Sequence, residues 1–372
     1  MKKKIVAVLC AAALALSMFG LAGCSSSSAS ASASASASAS VPAKQTVTDM
    51  VGRSVEVPTN PSKIIGIGSS ALRLISYMQA TDLVVGVEQS EQTDAVSCAY
   101  RHVYYDTFAK LPVIGDGGSK GVTPNEEAIM GVAPQVIFAS LDADTANALQ
   151  EKTKIPVVCL DLSDKMFDEV LYNNFTLMGK VLGKDARAAE LVKYMQDMQA
   201  DLNKRVAAAG GAKTAYAAGI SFRGGHGFAG TEAGFAPFVS AGVTNIADAT
   251  AAPGCFDIDL EAVSAAQPDY IFVESGNLAL VKDDVAANPT YFQNLKAVQN
   301  GNVYGLISFR FYATNIELAL ANCYQVAAVC YPEQFKDVDP AKKMDEITNF
   351  FLGAPLYDAL VAEGGTFGKI EL

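Results

Sequence analysis

The run from Lys184 to Ala209 constrains this chain more than any other stretch, because neither proline nor glycine interrupts it. Asp185 is placed to cap its start and Gly210-Gly211 to stop it. Ala188, Leu191, Val192, Met195, Met198, Leu202 and Val206 recur at helical spacing, so one face is apolar. At 1.5 Å per residue this is a rod of about 35–40 Å, the width of a small domain. On both sides the chain alternates short apolar strands with helices. The pattern predicts an α/β protein of two lobes, each with a mainly parallel sheet flanked by helices, joined by one long helix.

The 372 residues are enough for two cores, and beyond the start no apolar run is long enough to span a bilayer. A net charge of −11 argues against a nucleic-acid partner, since phosphate contacts need a basic surface. Residues 1–24 combine Lys2, Lys3 and Lys4, the apolar run Ile5–Leu16 and Leu21-Ala22-Gly23-Cys24, which reads as an export signal. The ending resembles the lipobox of bacterial lipoproteins, which implies lipidation of Cys24 and a body held at the extracytoplasmic face of a membrane. Residues 25–45 are mostly Ser and Ala, a tether without side chains for a core. The organisation expected beyond them is a first ligand-binding lobe over 46–164, linker helices over 165–210 and a second lobe over 211–372.

Val47–Pro58 reads as a hairpin turning near Gly52, and Lys63–Ile67 as the first parallel strand. Gly66-x-Gly68-x-x-Ala71 follows, with Glu88 about twenty residues on; this matches the dinucleotide fingerprint but reads here as a tight strand-to-helix turn. Further first-lobe strands are expected at Leu83–Val87, Pro112–Ile114, Val136–Ala139 and Ile155–Leu160, with a polar, aromatic loop over Gln89–Leu111. A helix over Phe167–Leu182 leads into the linker. The second lobe should hold strands at Thr214–Ile220, Tyr270–Val273 and Asn302–Leu306, and helices near Phe235–Ala241, Leu260–Ala266 and Ile316–Cys330.

A motif occurs in both halves. Asn125-Glu126-Glu127-Ala128-Ile129 runs to Pro134 and the strand Val136-Ile137-Phe138, and Asp259-Leu260-Glu261-Ala262-Val263 runs to Pro268 and Tyr270-Ile271-Phe272. The proline ends a short helix whose first turn carries the glutamate, where a carboxylate meets the positive end of the dipole. Together with Val47–Arg53 and its following VEVP, Val84–Val87 and the linker helix, this pattern resembles the substrate-binding lipoproteins of ABC importers for ferric siderophores, haem and cobalamin. The resemblance implies the class III periplasmic-binding-protein fold, a monomer without intrinsic cofactor, and an iron chelate or corrinoid as transported ligand. It further implies docking of Glu127 and Glu261 onto the permease dimer, which works with its ATPase.

Ligands of parallel sheets bind beyond the carboxyl ends of the strands. Three arginines are expected there: Arg101 from the first lobe, and Arg223 and Arg310 from a repeated Ser-Phe-Arg in the second. Their planar donor forks suit an anionic metal chelate, although each could instead pair with an acid such as Glu232. His226 is a candidate metal ligand through the chelate, and Tyr104 and Tyr312 are candidate ring contacts, as are Tyr100 and Tyr105. Two histidines cannot build a three-His zinc cage, and no tryptophan is present to line a pocket. Beyond Cys24, the five cysteines Cys98, Cys159, Cys255, Cys323 and Cys330 fit no zinc or catalytic motif. The chain reads as a non-enzymatic carrier of an anionic iron complex, such as a ferric siderophore or haem, held in the cleft between the lobes. The rival readings are a corrinoid binder, an exported metallocofactor enzyme of chelatase-like fold, and a surface adhesin.

Overall fold

The computed structural model describes residues 43–118, 122–161, 166–250 and 252–372. The expected export signal, Cys24 and the expected tether up to residue 42 lie outside them. The first lobe opens with an antiparallel hairpin, β1 (Lys44–Thr48) and β2 (Ser54–Pro58), which turns through Gly52 at φ 83°. Then come β3 (Ile64–Ile67), α1 (Ala71–Tyr77), α2 (Ala99–Phe108), α3 (Glu126–Val132), β4 (Val136–Ala139), α4 (Ala143–Thr153) and β5 (Val157–Cys159). Strands β3, β4 and β5 pair in parallel in that order. The linker is a helical hairpin of α5 (Glu169–Leu182) and α6 (Asp185–Ala207).

The second lobe contains β6 (Thr214–Ala218), β7 (Gly230–Glu232), α7 (Ala236–Ser240), β8 (Thr244–Asn245), β9 (Cys255–Asp257), α8 (Leu260–Ala266) and β10 (Tyr270–Glu274). It continues with α9 (Leu278–Ala287), α10 (Pro289–Gln293), α11 (Lys296–Gln299), β11 (Val303–Leu306), α12 (Ile316–Cys330), α13 (Pro340–Leu352) and α14 (Tyr357–Ala362). Its sheet runs β11-β10-β6-β8, parallel throughout, with β7 and β9 as a separate antiparallel ribbon. The α/β class, the parallel sheets and the long helix are those read from the sequence.

Strand periodicity explains the layering. In β4, Val136 and Phe138 join one core while Ile137 and Ala139 join another; in β10, Phe272 and Ile271 divide in the same way. The outer core of each lobe is its own. The inner faces of both sheets share one continuous core with α5, α6, α12 and α13. Helix α6 supplies Ala188, Leu191, Met195, Met198 and Leu202 to it, with Val192 and Val206 half-buried. Gly179 lets α5 approach α6, since a Cβ there would come within 2.7 Å of the Ala188 Cβ. The linker is tied at both ends. Arg187 donates to the carbonyls of Tyr77 (2.9 Å) and Phe350 (2.7 Å), and Arg205 bonds Asp201 and, with both Nη atoms, Asp337.

Several expectations change in detail. Lys184, not Asp185, precedes the first turn of α6, and no side chain caps it. Leu83–Val87 and Pro112–Ile114 make isolated bridges, Ile64 to Val84 and Val87 to Val113, instead of strands. The expected loop over Gln89–Leu111 contains α2, whose inner face buries Ala99, Tyr100, Arg101 and Phe108. All five cysteines are free thiols, four of them buried, and burial pushes Cys323 and Cys330 up to about 12.

Candidate ligand cleft

Loops at the carboxyl ends of β6 and β11 line a cavity of about 540 Å³, one wall from Ser221, Phe222, Arg223 and Gly224, the other from Arg310 to Thr314. The first wall is held from beneath. Glu274, at the end of β10, accepts from the Ser221 amide (3.0 Å) and hydroxyl (2.8 Å), and Asn277 donates to the Gly219 carbonyl (2.7 Å). Phe222 stacks on His226 with ring centres 3.7 Å apart. The second wall is a tight turn closed by an Arg310–Thr314 bridge, with Tyr312 and Ala313 at φ 52° and 70°.

The three arginines have different fates. Arg223 is exposed at φ 51° and makes no hydrogen bond or ion pair with any described residue, so its charge is available to the cavity. Arg310 also lines the cavity, but both its Nη atoms pair with the carboxylate of Glu232, and its guanidinium lies 5.0 Å over Phe309. Arg101 is not a cavity residue. It is buried, its Nε donates to Glu91 at 2.7 Å, and its guanidinium stacks 4.6 Å from the Tyr312 ring centre. These partners offset the cost of burying a guanidinium, which without them would carry an unpaired charge.

Tyr312 lines the cavity, and its hydroxyl reaches the first lobe, accepting from the Gly118 amide (3.0 Å) and donating to Glu88 (3.2 Å). Burial and the Glu88 carboxylate push this phenol up to about 12. Tyr104 is placed elsewhere: its hydroxyl donates to the Leu352 carbonyl at the end of α13. His226 has both ring nitrogens engaged, one with Asp257 and one with the Phe222 carbonyl, each at 2.9 Å. With both nitrogens turned to these oxygens and its ring stacked on Phe222, it backs that ring and does not line the cavity. Tyr100 donates to Glu91 in the core.

Glu88 was visible in the sequence only as part of the fingerprint. Its Oε2 accepts from the Gly68 amide at 3.0 Å, so the turn that resembles a phosphate cradle already holds a carboxylate of its own chain. Gly66 is required there, since a Cβ would lie 2.9 Å from the Leu72 amide. Burial raises Glu88 to about 7, and its Oε1 is buried without a partner among the described residues.

Glu127 and Glu261 occupy the same place in matching helices. Each is the second residue of a seven-residue helix, exposed, after a capping side chain: Asn125 for α3, Asp259 for α8. Each helix ends on a left-handed residue, Ala133 at φ 49° or Gln267 at φ 44°, before the proline that leads to β4 or β10.

The profile of the periplasmic binding protein family matches residues 75–308, which takes in β4 and β5 of the first sheet, the linker and the whole second-lobe sheet. The chain belongs to that family. This binding protein is 27% identical over 185 residues to the Fe(3+)-citrate-binding protein YfmC of Bacillus subtilis (strain 168), covering 49% of its own length and 56% of that relative. It is 22% identical over 196 residues to the uncharacterized ABC transporter substrate-binding lipoprotein YvrC of the same strain, covering 52% and 57%. It thus spans a little over half the length of these curated relatives. Among solved structures it is similar to the TroA-like periplasmic binding protein FepB of Veillonella parvula, at 25% identity and a TM-score of 0.64, over 83% of this chain and 96% of that one. The matches are to binding proteins, not enzymes.

Proposed function

We propose that this chain is an extracytoplasmic substrate-binding lipoprotein that captures an anionic iron chelate in the cavity between Ser221–Gly224 and Arg310–Thr314. It hands that chelate to an ABC importer. The observation that carries the reading is the cavity's composition: one guanidinium, Arg223, unpaired among the described residues and set among the rings of Phe222, Phe311 and Tyr312. Its size is that of a small-molecule site. A fixed positive charge in an otherwise acidic protein concentrates an anion locally. The similarity to a ferric citrate binder supports an iron chelate as the class. In this reading the metal arrives inside its chelate, and the protein contributes charge and ring surface; His226 serves the wall. Glu127 and Glu261 present two like carboxylates, one per lobe, to arginines of the permease dimer, and Cys24 carries the lipid.

Ferric citrate titrated into the purified chain tests the proposal. Saturable one-to-one binding that falls at least tenfold in Arg223→Ala, about 1.4 kcal/mol, is the expected result. No binding of ferric citrate, or an affinity indifferent to Arg223, would remove this cavity from consideration. Retention of the chain in the membrane fraction, lost in Cys24→Ser, tests the anchor.

A further inference from the structure

The cavity wall that bears Tyr312 is not held by its own lobe alone. Its tip places two non-glycine residues, Tyr312 and Ala313, in left-handed backbone, a conformation that persists only where surrounding contacts impose it. Several of those contacts come from the first lobe. Arg73, in α1 and wholly buried, donates through Nη2 to the carbonyl of Phe311 at 3.1 Å and of Tyr312 at 2.7 Å. Its Nη1 donates to Ser70 at 3.0 Å, and the ring of Tyr100 lies 5.0 Å from its guanidinium carbon. Around this grip, Asn315 donates to the Ser97 carbonyl (3.1 Å), and the Tyr312 hydroxyl bridges Gly118 and Glu88.

We infer that Arg73 is the positioning residue of the ligand cavity: from the opposite lobe it fixes the Phe311–Tyr312 backbone that forms one cavity wall, without lining the cavity itself. Nη1 holds Ser70 while Nη2 donates to two successive carbonyls, a three-point grip set by the planar guanidinium; the single ammonium nitrogen of lysine keeps the charge but not that spread of donors. The wall therefore depends on the lobes being engaged. A ligand pressing on Phe311 and Tyr312 is felt in α1, and a change at Arg73 is felt by the ligand. This rests on the cavity being the ligand site, so one arm of the test needs no ligand.

The experiment is hydrogen exchange on the full chain, following residues 309–315 against α5 as an internal reference, with ferric citrate titrated separately. Arg73→Lys should raise exchange of 309–315 about tenfold while α5 stays protected, and should weaken ferric citrate by a similar factor. Unchanged exchange over 309–315 would overturn the inference. Should Arg73→Lys fail to fold, Ser70→Gly decides the matter: it removes the hydroxyl that holds Nη1 and aims the guanidinium, at a position whose φ of 75° suits glycine. Exchange of 309–315 should then rise several-fold while α5 stays protected, and unchanged exchange would overturn the inference. Exchange decides the positioning role, and ferric citrate binding by the wild type decides the functional reading; the two can fail separately.

Discussion

Each lobe carries the same unit, a capped seven-residue helix, a left-handed exit, a proline and a buried parallel strand. Beyond that unit the lobes part. The first turns its charged residues inward, burying Arg73, Glu88, Glu91 and Arg101 among tyrosines. The second presents Arg223, Phe222 and Phe311 to a cavity, with Phe311 42% exposed. In the proposed reading, one lobe supplies the surface that touches a ligand, and the other supplies the polar frame that fixes it. Repetition marks what both lobes share, and divergence marks where each works alone.

Four pairs of changes probe that contrast. Charge reversal at Glu127 or at Glu261 should abolish uptake of the chelate in cells while leaving ferric citrate affinity unchanged; loss from only one of them would break the equivalence of the two units. Phe138→Ala in β4 and Phe272→Ala in β10 each empty a fully buried site in the shared core and should cost about 3–5 kcal/mol in urea unfolding. Because that core is continuous, both should shift one common transition, whereas two separate transitions would mean that the lobes fold independently. In the cavity, Arg223→Ala should cost at least tenfold in ferric citrate affinity. Arg310→Ala should cost less affinity but more stability, about 3 kcal/mol, because it leaves the carboxylate of Glu232 unpaired. The smallest effects belong to the caps: Asn125→Ala and Asp259→Ala should each lower stability by about 1 kcal/mol by thermal unfolding, and to a like degree if the units correspond.

Much of this architecture could be read from residue order, and the reason is periodicity. Leu260–Ala266 and Ile316–Cys330 have the boundaries the sequence suggested, since a cap and a proline bracket the first and an unbroken apolar run fills the second. Helix α2 escaped because its inner face is Ala99, Tyr100, Arg101 and Phe108; an arginine at a core position reads as a break in the pattern. Its charge is acceptable only because Glu91, distant in local pattern, lies against it. Helix α13 had a legible signal, Asp339-Pro340 before Met344, Ile347 and Phe351, and Asp339 does cap it. The cavity followed the same rule. Loop positions after β6 and β11 were foreseeable from strand polarity, but which arginine stays free depends on pairing with Glu232, 78 residues away, and with Glu91, ten residues away outside the helix of Arg101. Spacing carries no trace of such pairs. The acid that could satisfy Arg310 was in view, but the contact itself was not.

The Gly66–Ala71 turn has one more implication. A backbone bent to welcome an oxyanion here greets a resident, Glu88, so the seat is taken before any nucleotide arrives. To admit a guest phosphate, the protein would first have to evict a carboxylate that is also fastened to Tyr312 of the other lobe. What in another setting would be a docking point for a dinucleotide serves here as a rivet between the two halves of the molecule.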